Sequence, residues 1–183
     1  EEVIELFPYK YIHIGGDEAV KKDWEVCVNC QKRMQEEGMT DKNELQGYLV
    51  RHIEKFLRER GKTVIGWDEI VETGLPEQAV VMSWRGTPGG IKASSEGHDV
   101  IMSPNSYVYL DYYQDLIRKE PKAVGHMQSL RHVYKYDPLD GIDPEYHHHI
   151  LGLQGNLWCE LIPYPAHAEY MLYPRAFAIA EIG

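Results

Sequence analysis

Hydrophobic residues in this chain gather in five short runs, at 11–15, 63–67, 79–84, 99–103 and 150–154. Several of these are near-continuous apolar stretches without polar alternation, a pattern that suits parallel strands covered on both faces. Between them the spacing becomes that of helices. Residues 43–60 place Leu45, Leu49, Ile53 and Phe56/Leu57 on one stripe, with Asp41 and Glu44 as a capping pair at the start and Gly61 at the C′ position. A proline opens a second apolar helix over 165–182. A shorter helix over 90–96 is closed by Gly97, and 21–38 also has helical character. The resulting order, βαβαβαβ, predicts an α/β fold in which helices connect parallel strands.

The residues able to do chemistry fall at one end of those strands. Asp17 and Glu18 follow the first, Trp67-Asp68-Glu69 end the second, and Trp84-Arg85 end the third. Tyr107, Tyr109 and Asp111 follow the fourth, and Trp158 and Glu160 follow the fifth. In a (β/α) barrel the C-terminal strand ends build the active site, so one pocket lined by aromatics and carboxylates is the economical expectation. Such a lining suits a pyranose ring, whose CH faces stack on indoles while its hydroxyls donate to carboxylates. In the stretch Tyr11-Ile12-His13-Ile14-Gly15-Gly16-Asp17-Glu18, strand alternation alone would send the two acids to opposite faces. The glycine pair permits a bulge or turn that brings both toward one pocket, where paired carboxylates can do acid/base work.

Composition narrows the choice. At 183 residues, 43% hydrophobic and 26% charged, the chain is expected to form one soluble domain over 1–183 with no second domain. A formal net charge of −10 argues against a nucleic-acid partner, since no basic surplus exists to neutralise phosphates. No apolar run is long enough to span a bilayer, so no membrane partner is expected. Cys27 and Cys30 form a CxxC without the second pair a zinc site would want, and they read as structural or incidental thiols. His147-His148-His149 sits in a polar loop after Asp143-Pro144 and reads as solvated histidines. No metal ligand set and no cofactor are expected.

The ordered motifs closely resemble glycoside hydrolase family 20, the β-N-acetylhexosaminidases. They are His-Ile-Gly-Gly-Asp-Glu at 13–18, Gly-Trp-Asp-Glu at 66–69, Ser-Trp at 83–84, Tyr-Leu-Asp at 109–111 and Gly-Asn-Leu-Trp-Cys-Glu at 155–160. The resemblance implies a (β/α)8 TIM-barrel fold and substrate-assisted retention, in which the sugar's own 2-acetamido oxygen attacks the anomeric carbon to give an oxazolinium ion. By position, Glu18 would be the general acid and then the base for water. Asp17 would orient the acetamido N–H and balance the developing positive charge, and Tyr109 would aim the acetamido oxygen. Trp67, Trp84 and Trp158 would wall the sugar, Asp111 and Glu160 would bind ring hydroxyls, and His13 would buttress Glu18 from behind. Asp68 and Glu69 receive no catalytic role, since a loop-facing salt bridge explains them equally well. The partner so implied is a glycan with a terminal β-N-acetylhexosamine. The family resemblance also favours a secreted, periplasmic or lysosomal setting.

A full barrel of this type takes about 250 residues and eight strands. Only about five βα units are legible here, matching strands 4 to 8, and both ends look cut: 1–7 reads as the tail of a helix and 165–182 as a helix that has barely stopped. Two activities are therefore open for the isolated chain. Either it hydrolyses the glycoside as the larger part of the barrel, or it is catalytically incomplete, binding the sugar weakly or needing the rest of the barrel. Exposed strand edges would favour self-association. A metal-dependent hydrolase built on His13, Asp17, Glu18 and the histidine run is a third reading, and insensitivity to chelators would exclude it.

Overall fold

Strand β1 (Tyr11–His13) lies parallel to β2 (Thr63–Trp67), and β2 lies parallel to β3 (Val80–Ser83), with Ile12 beside Val64 and Gly66 beside Val81. The computed structural model describes all residues 1–183 and divides into two units, residues 1–82 and residues 83–183.

In the first unit, helix α1 (Glu2–Leu6) precedes β1, while α2 (Val28–Glu36) and α3 (Glu44–Arg58) connect β1 to β2. Leu57 from α3, Val64 from β2 and Ala79 form a core that Ile4, Ile12, Ile14, Ile53, Phe56 and Leu75 close around. The ends of α3 follow the sequence signals. The Glu44 carboxylate accepts the N–H groups of Thr40 and Asp41, both at 2.9 Å, and Asp41 accepts the N–H of Asn43 at 2.7 Å. At the other end Gly61 adopts φ +70° and the Lys62 N–H returns to the Leu57 carbonyl at 3.0 Å.

The buried stripe of α3 is turned relative to the expected one. Leu49 is 54% exposed, while Gln46, Gly47, Val50 and Leu57 are buried. Gly47 explains the turn: a Cβ there would lie 2.8 Å from the Thr73 side chain, so the helix seats its glycine against the 3-10 turn Asp68–Thr73. That turn is also the only helical element between β2 and β3, and Gly74 (φ +81°) ends it. The helical stretch expected over 21–38 is split into a 3-10 turn, Lys22–Glu25, and α2, with Cys27 extended between them as the N-cap. Cys27 and Cys30 are reduced and hydrogen-bond to one another, which lowers the Cys27 thiol and raises that of Cys30.

In the second unit, α4 (Pro88–Ser95) precedes β4 (Val100–Met102), which pairs in parallel with β7 (Ile150–Leu153). Gly90 allows α4 to approach β4, since a Cβ there would meet the Met102 sulfur at 2.6 Å. Between β4 and β7 the chain makes a small ladder not anticipated from the pattern, β5 (Tyr112–Tyr113) with β6 (Val124–Met127), then α5 (Leu130–Tyr134) and a 3-10 helix, Pro144–His149. Two histidines of that helix have local partners: His147 Nε2 lies 3.0 Å from the Ile142 carbonyl and His149 Nδ1 lies 3.1 Å from the Asp99 carboxylate. The single helix expected over 165–182 is two, α6 (Pro165–Leu172) and α7 (Arg175–Ile182). Pro174 forces the residue before it out of the helical region, and Tyr173 sits at φ −101°, ψ 141°. No helix is long and apolar enough to cross a membrane.

Candidate active site

The acidic motif of the first unit hangs on β1 and is bent by its glycines. Gly15 and Gly16 take φ +75° and +103°, and Glu18, a non-glycine, takes φ +49°. This left-handed conformation costs an ordinary side chain roughly 1–2 kcal/mol, so the neighbours must hold it there. They do so through the backbone. The Trp67 N–H donates to the Gly15 carbonyl at 3.0 Å, and the Gln46 amide donates to the Gly16 carbonyl at 2.6 Å. Gly16 presses so closely on Ile70 that a Cβ would lie 2.9 Å from its Cγ2 atom. Asp17 and Glu18 follow this bend, and both are exposed.

Behind them His13 is fixed in one tautomer. Its Nδ1 accepts the Gly15 N–H at 3.0 Å, and its ring meets Trp67 edge-on at 4.9 Å between centroids. One edge of the imidazole stays open, yet burial of the rest lowers its pKa, with the Asp17 charge pulling the other way. Neutral His13 therefore leaves Nε2 as an N–H donor. Trp67 itself is buried at the end of β2, and Asp68 and Glu69 are buried too, at 2% and 8% exposure. Both acids lie in the buried 3-10 turn and not on an exposed loop.

Substituting Gly16 by Ala should destabilise this unit by about 1–3 kcal/mol, because alanine meets both an unfavourable φ and the Ile70 methyl. Urea unfolding checks it, and a midpoint equal to that of the unsubstituted protein would remove the constraint from this account.

The second unit gathers a different set. The bridge between Tyr109 and Asn156 sets the 155–160 segment alongside 108–110: Leu110 N–H donates to the Asn156 carbonyl at 2.6 Å, and Asn156 N–H donates to Val108 at 3.1 Å. Asn156 is locked in turn, donating to Ser103 Oγ and accepting from Gln154, both at 2.7 Å. On this frame Trp84 stacks on Tyr109 at 6.3 Å and 16°, while Trp158 meets Tyr109 edge-on at 6.2 Å. Tyr112 closes a further side of Tyr109 at 5.7 Å. The Asn105 N–H donates to the Trp84 carbonyl at 2.8 Å and ties the third-strand end to the fourth.

Burial pushes the Tyr109 hydroxyl up to about 12, against hydrogen-bonding from Trp158 and Asn156, so Tyr109 is a neutral phenol over the physiological range. With its oxygen accepting from those neighbours, the hydroxyl proton is what it offers to a ligand. Asp111 is 5% exposed and one of its carboxyl oxygens has no partner. Burial pushes its pKa up to about 6; the Glu160 charge adds to that, while backbone N–H groups and Arg175 oppose it. Tyr109, Asp111, Trp84, Trp158 and Glu160 are thus brought into one neighbourhood, and His13, Asp17, Glu18 and Trp67 into another.

The family model described as "Glycosyl hydrolase family 20, catalytic domain" matches residues 1–183, the whole chain. The chain belongs to glycosyl hydrolase family 20. It is 48% identical over its full length to a β-hexosaminidase of Porphyromonas gingivalis and 39% identical to one of Vibrio furnissii, covering 24% and 31% of those proteins. Among solved structures it resembles the family 20 exo-β-N-acetylglucosaminidase of Vibrio harveyi in complex with N-acetylglucosamine, with TM-score 0.87 and 36% identity, covering 99% of this chain and 29% of that one. The chain therefore spans about a quarter to a third of the length of the curated relatives it matches. This likeness, with parallel strands joined by helices, makes the family 20 chain an α/β fold of TIM-barrel type.

Three residues that matter to these neighbourhoods, Gln46, Tyr112 and Arg175, carry no signal in the sequence. Gln46, Asn156 and Arg175 act on groups distant in the chain, whereas Tyr112 meets the ring of its near neighbour Tyr109. Only the Asn within Gly-Asn-Leu-Trp-Cys-Glu could have been singled out beforehand, as a member of a motif.

Proposed function

We propose that the full-length protein bearing this chain is an exo-acting, retaining β-N-acetylhexosaminidase that releases terminal N-acetylglucosamine or N-acetylgalactosamine from glycans. In this reading the chain supplies strands 4 to 8 of one catalytic barrel domain. Family membership supports the class of reaction, and the observation that carries the assignment of roles is the left-handed turn on which the exposed Asp17 and Glu18 sit.

The proposed reaction has two steps. The acetamido carbonyl oxygen of the substrate attacks C1 as the bond from C1 to the glycosidic oxygen breaks, and Glu18 gives its proton to the departing oxygen. Asp17 accepts the acetamido N–H and offsets the positive charge that spreads over the oxazolinium ring. Tyr109 donates its hydroxyl to the acetamido group and holds the oxygen on line for attack. In the second step Glu18, now a carboxylate, takes a proton from water as the water oxygen bonds to C1 and the ring opens, so the anomeric configuration is retained. Trp67, Trp84 and Trp158 bound the sugar and its methyl group, and His13 supports the acid pair from below.

Asp111 and Glu160 accept hydroxyls of the sugar in this scheme, and that gives a pH signature. Asp111 accepts best as a carboxylate, so KM should rise as pH falls through about 6. Stability should move the other way. Since burial raises the Asp111 pKa from its ordinary 3.8, the fold binds its proton more readily than the unfolded chain, and this contribution to stability is lost as pH rises through about 6. Michaelis curves and melting temperatures at pH 4.5–7.5 for the protein and its Asp111→Asn variant check both trends. If KM of the unsubstituted protein does not change across that range, Asp111 is not a ligand of the sugar.

The test of the function itself is release of N-acetylglucosamine from its β-linked disaccharide, a substrate with a poor leaving group, by the full-length protein and by residues 1–183 alone, each with a Glu18→Gln control. Release by the full-length protein that disappears in the control supports the reading, and its absence overturns it. Release by residues 1–183 alone would decide between the working and the incomplete form of the isolated chain.

A further inference from the structure

We propose that Arg175 is a positioning residue for the Tyr109-to-Asp111 segment: its guanidinium grips the carbonyls on either side of Asp111 and places an unneutralised positive charge behind that carboxylate. The inference rests on the proposed function, in which Tyr109 orients the acetamido group and Asp111 binds a sugar hydroxyl.

Arg175 opens α7 and is fully buried, at 0% exposure. An arginine in such a place is ordinarily matched by a carboxylate, because a buried charge without compensation is costly. Here every hydrogen-bond acceptor is a neutral backbone carbonyl. Nη1 donates to Tyr112 at 2.8 Å and to Gln128 at 3.2 Å; Nη2 donates to Met171 at 2.7 Å and to Leu110. Leu110 and Tyr112 flank Asp111, so the planar fork fixes the Leu110–Asp111 peptide and the Tyr112–Tyr113 peptide that follows. The same segment carries Tyr109, whose ring must stay between Trp84, Trp158 and Tyr112.

Gln128 makes the clamp rigid. It is fully buried, donates its N–H to the Tyr113 carbonyl at 2.7 Å and its side-chain amide to the Asn105 carbonyl. Arg175 thus ties the Tyr109–Tyr113 stretch to the residue after β6 and to α6, through a geometry that lysine cannot reproduce because it lacks the two-pronged planar donor set. The charge has its own effect. Asp111, Glu120 and Tyr170 are the titratable groups that feel it, and Tyr170 already donates to Glu120 at 2.7 Å. Around Asp111, Arg175 favours the carboxylate and Glu160 opposes it, and Lys122 and His167 line the same small pocket.

The two effects separate by substitution in the full-length protein. Arg175→Lys keeps the charge and loses the fork, whereas Arg175→Met keeps most of the volume and loses both. Each is to be measured by thermal unfolding and by kcat and KM on nitrophenyl β-N-acetylglucosaminide from pH 4.5 to 7.5. Both variants are expected to lower kcat/KM by about tenfold or more, since a segment displaced by a fraction of an ångström loses its aim. Only Arg175→Met should also move the acid limb of kcat/KM to higher pH, by about half a unit or more, because Asp111 then takes its proton more readily. Adding Asp111→Asn should abolish that movement.

Folded variants with the kcat/KM and acid limb of the unsubstituted protein would overturn the inference. So would an equal movement of the limb in both variants, or the failure of both to fold, since Arg175 would then serve the fold and not the segment. No hydrolysis by the unsubstituted protein would overturn the proposed function and this inference with it. Disaccharide hydrolysis that Glu18→Gln abolishes, with kcat/KM and its acid limb unaltered in both Arg175 variants, would overturn this inference alone.

Discussion

Glu18→Gln should lower kcat by about 10²–10⁴-fold on glycosides with poor leaving groups, and by far less on a nitrophenyl glycoside carrying a good one. The reason is that only an alkoxide leaving group needs the proton Glu18 delivers. Glutamine keeps the size and the exposed position of the side chain but has no proton to give at neutral pH. The left-handed φ of Glu18 adds a second, independent readout. Glu18→Gly should remove most turnover while holding or raising the unfolding midpoint, because glycine adopts φ +49° without the strain that glutamate bears there. Equal loss on both classes of leaving group would remove the acid role from Glu18. A midpoint lowered by Glu18→Gly would show that the side chain stabilises the turn it occupies.

Tyr109→Phe should cost about 10²-fold in kcat with a KM changed only a few fold, which separates a residue that aims the substrate from one that merely binds it. Phenylalanine retains the stack on Trp84 and the edge contacts with Trp158 and Tyr112. What is lost is one hydroxyl, held neutral by burial and already accepting from its neighbours. Because the acetamido oxygen must be on line only when it attacks C1, the hydroxyl contributes mainly to the transition state. Steady-state kinetics of the variant against the parent decide it, and a pure rise in KM with kcat intact would contradict the role.

Much of the architecture can be read from local pattern. The five apolar runs became β1, β2, β3, β4 and β7, with 63–67 kept whole and the others shortened at their ends by a residue or two where pairing stops. The caps of α3 were legible because capping depends on residues three or four apart, all within one turn. The breaks were less legible. Pro174 stands in a stretch rich in alanine, leucine and methionine whose apolar pattern continues on both sides of it, so the break at Tyr173 does not show in the pattern. The turned face of α3 depends on Gly47 meeting Thr73, a contact that spacing along the helix does not contain.

The sequence by itself determined the inventory of chemistry. It contains a glycine pair able to turn two adjacent acids outward, aromatic residues and carboxylates at successive strand ends, and a set of motifs whose order marks the family. These are short-range properties: backbone freedom at glycine, alternation along a strand, the types of donor and acceptor available. The tertiary structure alone decided which groups are held, buried or charged. It put Glu18 in a strained conformation, set His13 in one tautomer, and raised Asp111 to about 6 by enclosing it. It also brought Arg175 to carbonyls more than sixty residues away. Burial and long-range hydrogen bonding arise only when distant segments pack, and no pattern along the chain carries them.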